Sequence, residues 1–355
     1  MAPPSRQEGF REGRGWGRIP PVLLHGGAQR AMKTLFKYSS YIERFFTEPS
    51  IKLSNIKALN DPFESEINKH ILDRIVNTVR HHKLNKWENF IEAKLTRKSL
   101  ESIIGFNGVI SYSETPRNLL MWAHYGDQHS GMCVGFNSNV LNYLSNKKKN
   151  LHTNLSVYKP IKVNYDSRRI DPTEIADKKD VLKDILISYL TTKSDEWIYE
   201  KEHRSIISAH HVDEIIVSKN LNIPILGEDG KMGITGNDII GILLNEKKIK
   251  KIKENVYRIN KSALDVVDCS ILLDIPQSSN LIHVNPRFIE TIYFGCRVGH
   301  KKIQHAFDLI NKNEKMKHIS VFHYSLNENR FELTPNLVSS EYISALKSVE
   351  TSYDY

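Results

Sequence analysis

The chain is poor in cysteine and has no long apolar run, and each lack excludes a class of function. Cys133, Cys269 and Cys296 lie far apart in 355 residues. No Cys-x-x-Cys pair or Cys/His cluster accompanies them, which argues against a structural zinc site, any other metal centre and a disulfide framework. A reducing, cytoplasmic setting follows from that usage. No segment approaches the roughly 20 apolar residues of a membrane span. The longest candidates, such as Ile239–Leu244, are strand-sized, so no membrane partner is expected. Gly-x-Gly-x-x-Gly and the phosphate-binding Gly-x-x-x-x-Gly-Lys-Ser/Thr are both missing, as is Gly-x-Ser-x-Gly. Those absences argue against a Rossmann cofactor site, a P-loop and an α/β-hydrolase elbow. No internal repeat is present.

What is there is ordinary for a folded chain: 40% hydrophobic and 26% charged residues. The 50 Lys+Arg against 41 Asp+Glu leave a net charge of +9. That balance fits a polyanionic partner without requiring one. Residues 1–31 differ from the rest, with five arginines, no lysine, six of the 18 glycines and four of the 13 prolines. Such a stretch lacks the periodic apolar surface that would order it. It reads as a disordered leader or extension, with Met32 the natural start. Residues 32–335 read as a single domain and 336–355 as a C-terminal tail.

Within the body, short strands are expected at Thr34–Tyr38, Ile51–Ser54, Val109–Ser113, Met132–Phe136, Ile161–Tyr165, His203–Ala209, Phe288–Phe294, Ser320–Tyr324 and Arg330–Leu333. Apolar spacing of three and four predicts one or two helices over 64–100, a short helix over Asn118–Tyr125, and helices over Asp180–Thr192 and Lys301–Asn311. A hairpin-rich stretch is expected around Gly227–Gly236, and Lys147–Lys149 read as a solvated loop. Strands and helices mingle without regular βαβ alternation. The fold class is therefore α+β, with a mixed, mostly antiparallel sheet core and flanking helices.

Three segments concentrate chemistry. Asn60-Asp61-Pro62-Phe63-Glu64 is a capping and turn signal, with Phe63 expected to pack inward; alternatively Asp61 or Glu64 contacts a ligand. Trp122, His124, Tyr125, Asp127 and His129 form a polar-aromatic cluster suited to a pocket wall. The spacing of His124 and His129 does not suit two metal ligands on one helix. Tyr199-Glu200-Lys201-Glu202-His203-Arg204 enters a strand, and period two puts Glu200, Glu202 and Arg204 on one face. Two like charges there are unfavourable unless offset. One explanation is an ion-pair ladder with Arg204 at a sheet edge. The other is catalysis. Cys133, inside an apolar strand, reads as a core thiol.

Leu35–Tyr38, Leu59–Glu64, Met121–Gly131 and Trp197–Arg204, taken in order and followed by Ile292–Arg297, resemble the bacterial domain of unknown function 2971 family over about residues 34–333. Glu-x-Glu at a strand start is also similar to the catalytic motif of ADP-ribosyltransferases. That resemblance implies NAD as co-substrate. Glu202 would hold the nicotinamide ribose and stabilise the oxocarbenium-like transition state, with Glu200 activating the acceptor. Lys37 and Tyr38 would sit where those enzymes keep an Arg or His for NAD, and Tyr112 or Tyr125 would stack on nicotinamide. Trp122, His124, Tyr125 and His129 would complete the NAD cleft. The acceptor would be a nucleic acid or a protein, in a toxin or defence role. Two rivals remain open: a non-catalytic module sensing a ligand or nucleic acid through the Trp122–His129 pocket, and a metal-independent nuclease using the histidines.

Overall fold

The computed structural model describes residues 34–66, 68–83, 95–147, 155–175, 180–218 and 235–351. All fall within one compact unit, Lys33–Tyr355. The expected leader, most of the hairpin-rich stretch, and Lys148 and Lys149 lie outside the described residues.

Along the chain, β1 (Thr34–Ser39) and β2 (Ser50–Leu53) precede α1 (Pro62–Ser65), α2 (Lys69–Lys83) and α3 (Arg97–Gly105). Then come β3 (Asn107–Ser113), α4 (Leu119–Tyr125), β4 (Met132–Asn137), β5 (Val157–Lys162) and β6 (Asn164–Tyr165). Next are α5 (Val181–Leu190), β7 (Thr192–Lys193), β8 (Glu202–Ser208) and β9 (Glu214–Val217). They are followed by α6 (Gly236–Asn245), β10 (Ile249–Lys253), β11 (Val256–Ile259), α7 (Val266–Asp274) and β12 (Ser278–His283). The chain closes with β13 (Ile289–Phe294), α8 (His300–Lys312), β14 (Ser320–Leu326), β15 (Leu333–Leu337) and α9 (Ser340–Thr351).

An eight-stranded sheet runs β15-β14-β13-β4-β1-β3-β8-β5, and a five-stranded sheet runs β10-β11-β9-β12-β2. In the larger sheet only β13 and β14 pair in parallel, with α8 as their crossover. The fold is thus α+β with mixed, mostly antiparallel sheets.

The two sheets meet where Ser54 and Val109 exchange backbone hydrogen bonds of 2.9 Å. Gly108 permits that approach, because a Cβ there would lie 2.7 Å from Leu53 Cγ and from the Ser54 carbonyl oxygen. The main core contains Leu35, Ile51, Phe136, Ile215 and Ile292. A second core joins α2, α3 and α5 to Val109 and Ile206, through Ile71, Ile75, Leu100 and Ile185. The helical spacing of those residues is the apolar stripe expected for α2 and α5. Asp180 and Asn118 cap α5 and α4 as side-chain acceptors.

Several expectations are corrected. The run Ile239–Leu244, strand-sized by length, forms part of the helix α6, which the capping box of Thr235 and Asp238 opens. The Arg330–Leu333 strand begins instead at Leu333, and the boundary at 335 falls inside β15. Beyond it lies α9 rather than a tail, and Val338 and Ile343 are both core residues. Phe63 is 64% exposed, because the one-turn helix α1 leaves its ring under Arg169 instead of over the core. Finally, β8 is an interior strand, not an edge. No helix among the described residues is long and apolar enough to cross a membrane.

Candidate functional site

β8 is buried along its whole length, yet it carries Glu202, His203 and Arg204. Its entrance explains how. Asp195–Glu200 forms a 3-10 turn, and Lys201 takes a left-handed conformation (φ 47°) that swings the chain into the strand. Glu200 therefore sits on the turn, not in the strand, but it still converges with Glu202 and Arg204. The expected ladder exists in a buried form. Arg204 grips Glu202 with two donors, Nε at 2.7 Å and Nη2 at 2.9 Å. It also grips Glu64 with two, Nη1 and Nη2, the latter at 3.0 Å. Its Nη1 further donates to the Leu190 carbonyl at 2.8 Å. Lys193, from β7, places Nζ 2.7 Å from Glu200 and 3.6 Å from both Glu202 and Glu64. Trp197 backs that ammonium, its ring centroid 4.4 Å from Nζ. Three carboxylates and two cations thus share one desolvated knot, and each ion needs the others.

The knot forms one wall of a cavity of about 200 Å³. Lys37 and Tyr38 from β1, Ser111 and Ser113 from β3, Tyr125 from α4, and Glu200 and Glu202 face it. Tyr125 donates to Glu200 Oε1 at 2.6 Å and accepts from Asn60 at 2.7 Å. Lys37 donates to the Ser111 carbonyl at 3.1 Å, and Tyr38 to the Thr115 carbonyl at 2.8 Å.

Electrostatics separates the two glutamates. Burial works against ionisation of Glu202, but Arg204 and then Lys193 outweigh it and hold the carboxyl at about 2. At Glu200 burial wins over the attraction of Lys193, and the neighbouring Glu202 charge adds to it, so its carboxyl is pushed up. Lys37 is lowered to about 8, by burial first and then by Lys52, against the pull of Glu202. Burial and the bond to Glu200 raise the Tyr125 hydroxyl.

Of the predicted site residues, Lys37, Tyr38, Tyr125, Glu200 and Glu202 are brought together. Trp122, His124 and His129 are not among the lining residues. Trp122 is fully buried, donates to the Pro116 carbonyl at 2.8 Å, and packs edge-on against Tyr38. His129 stacks on its far side, with ring centroids 6.4 Å apart. These residues support the cavity from behind instead of facing it. His124 is exposed between the rings of Tyr125 and Tyr199. The His129 turn is tightly built. Asp127, Gln128 and His129 all have positive φ, and a Cβ on Gly295 would lie 2.1 Å from the His129 carbonyl oxygen. Tyr112 lines the cavity, but at 2% exposure it is packed against Phe136. Lys193 carries no signal in the sequence: its reach depends on the β6–β7 pairing of residues 28 positions apart, Asn164 with Thr192. Among the described residues no group of three His, Cys, Asp or Glu could hold a metal ion.

Residues 121–205 match the family model described as "Protein of unknown function (DUF2971)". The match spans α4, the His129 turn, the Glu200 turn and the start of β8, and it supports the resemblance to that family over this segment. No curated protein and no solved structure matches the chain.

Proposed function

We propose that the cavity between β1, β3 and β8 is the reaction site of an ADP-ribosyltransferase-like enzyme that cleaves NAD and transfers ADP-ribose to a macromolecule. The supporting observation is a pair of carboxylates facing one cavity whose acidities are pushed in opposite directions. Such a split divides labour between two acids. The nicotinamide–ribose bond breaks with its electron pair leaving on nicotinamide, and positive charge grows on the ribose carbon. Glu202, held ionised, stabilises that charge. Glu200, the more basic of the two, takes the proton from the acceptor nucleophile as the new bond to ribose forms. Lys37 and Tyr38 on β1 bind the co-substrate. A cavity of about 200 Å³ is below the roughly 300–1,000 Å³ of a drug-sized ligand site, so it takes the nicotinamide end of the co-substrate and not the whole dinucleotide.

A second reading is favoured by one specific observation: both Glu202 oxygens already accept from Arg204. This suits a rigid ligand-binding module without chemistry.

The test is incubation of the protein with labelled NAD and cell lysate, following nicotinamide release and label transfer. Glu200→Gln should slow both by roughly a hundredfold or more, the usual contribution of general acid–base catalysis. Its melting temperature should fall, because buried Lys193 loses its partner at 2.7 Å, so turnover is compared at a temperature where circular dichroism shows both proteins folded. Unchanged turnover in folded Glu200→Gln, or none in wild type, removes the transferase and leaves the binding module.

A further inference from the structure

A second cavity, of about 180 Å³, lies behind the charge knot and shares Leu59, Glu64, Lys193 and Arg204 with the first. Apolar side chains from several elements, among them Ile56, Ile71 and Val109, form its floor. The loop after β6 crosses its mouth, held by the Asp166 N–H donating to the Lys193 carbonyl at 3.0 Å. That loop brings Arg168 and Arg169, with Arg169 5.4 Å from the centroid of the exposed Phe63 ring.

One side chain in this cavity is spent by halves. Asp61 is wholly buried. Its Oδ1 accepts the Phe63 N–H at 2.8 Å and caps α1. Its Oδ2 is buried, and no donor among the described residues reaches it. An acceptor left without a donor in a dry site costs more than a typical hydrogen bond contributes, so such groups point to an absent partner. The cavity's charges point the same way. Lys193 and Arg204 are matched by the carboxylates of the knot, which leaves the exposed Arg168 and Arg169 at the mouth, so the complementary ligand carries negative charge at its outer end although its inner end must donate to a carboxylate.

We propose that this cavity binds a nucleoside monophosphate whose base carries an exocyclic amino group. The amino group donates to Asp61 Oδ2, the ring lies on the aliphatic floor, and the phosphate meets Arg168 and Arg169 at the mouth. The inference does not rest on the transferase reading, because neither Glu200 nor Glu202 takes part. The same chemistry has two sources, a free mononucleotide or the adenylate half of NAD, and the test separates them.

The experiment is calorimetric titration of the full chain with adenosine, inosine, cytidine and uridine monophosphates, with adenosine, and with NAD. Adenosine and cytidine monophosphates should bind about tenfold to a hundredfold more tightly than their oxo counterparts, the range for a hydrogen bond to a charged group. Asp61→Asn should abolish that preference. Asn is as good a helix cap as Asp, so the fold is kept, as the melting temperature will show. Arg168→Ala with Arg169→Ala should weaken adenosine monophosphate binding and leave adenosine unchanged. A free nucleotide is the ligand if the monophosphates bind as tightly as NAD. The dinucleotide is the ligand if NAD binds at least tenfold more tightly and Lys37→Ala removes that advantage. Absence of binding by every nucleotide, equal affinity for amino and oxo bases, or full preference in folded Asp61→Asn overturns the proposal.

Discussion

At the scale of single residues, Glu202 is the carboxylate that the fold holds most firmly. It is 4% exposed and receives two donors from Arg204. Replacing it with Gln removes the charge that balances a buried guanidinium, and breaking a buried pair in this way costs about 3–5 kcal/mol. Glu202→Gln should therefore lower the urea midpoint clearly, so loss of turnover in that variant alone does not establish catalysis. The same acidity sets a pH dependence. The folded-state pKa of Glu202 is depressed to about 2 from 4.5, so its stabilisation is present above pH 4.5 and is lost as pH falls from 4.5 towards 2. Glu200, raised in the folded state, has the opposite sign: its contribution is present below pH 4.5 and fades as pH rises through its folded value. In urea titrations across pH 7 to 2, the gap between wild type and Glu202→Gln should close as pH falls from about 4.5 towards 2. A constant gap down to pH 2 would contradict the assignment.

Part of this was legible in the residues. Period two put Glu202 and Arg204 on one face, whereas Glu200 reaches them from the turn before the strand, and the strand reading of Thr34–Tyr38 placed Lys37 and Tyr38 in β1. What the residues did not carry was depth. Whether β8 is interior or an edge depends on β5 and β3 pairing on either side of it. That placement turns a surface ladder into a desolvated knot and requires a second cation, Lys193, whose position no local pattern announces. The Trp122–His129 segment misled in a similar way. Tyr125 does face the cavity, but Trp122 is core, packed in one cluster with Tyr38 and Tyr324.

At the scale of elements, glycine makes two opposite predictions. Gly108 stands at the contact between the sheets, where a Cβ would lie 2.7 Å from Leu53 and from the Ser54 backbone. Gly108→Ala forces β2 and β3 apart and should destabilise by about 1–3 kcal/mol, as overpacking does. Gly241 lies inside α6, and a methyl group there would have nothing within 4 Å. Gly241→Ala should instead stabilise by about 0.5–1 kcal/mol through helix propensity and a less flexible unfolded chain. Chemical denaturation of both variants checks the pair, and a shift of the same sign in both would contradict it. These elements also show where pattern reading holds. β3 and β4 are buried along nearly their whole length as their apolar residues suggest, and α2 and α5 keep their stripe. It is silent at α6, where the Ile239–Leu244 run is strand-sized by length and the capping box at Thr235 and Asp238 marks the helix.

At the scale of the molecule, the C-terminal end closes the larger sheet. β15 is its last strand, paired with β14 from Phe322 opposite Leu337 to Leu326 opposite Leu333. Beyond it Val338 and Ile343 enter the main core at 5% exposure each. Tyr342 of α9 also meets His323 Nδ1 at 2.9 Å. A chain cut after Pro335 loses two of the five β14–β15 pairs and both aliphatic anchors. Burying such a side chain contributes about 1.5–3 kcal/mol, so the two together should contribute about 3–6 kcal/mol, as an upper estimate. The truncated protein should melt at least about 5 °C lower. It should also expose the Val321–His323 end of β14 as a new edge, and unpaired strand edges promote association. Differential scanning calorimetry with light scattering on the full chain and the 1–335 fragment decides the matter. An unchanged melting temperature and a monodisperse fragment would return residues 336–355 to the status of a tail, whereas a lower transition with concentration-dependent scattering makes β15 and α9 the closing element of the sheet that carries the candidate site.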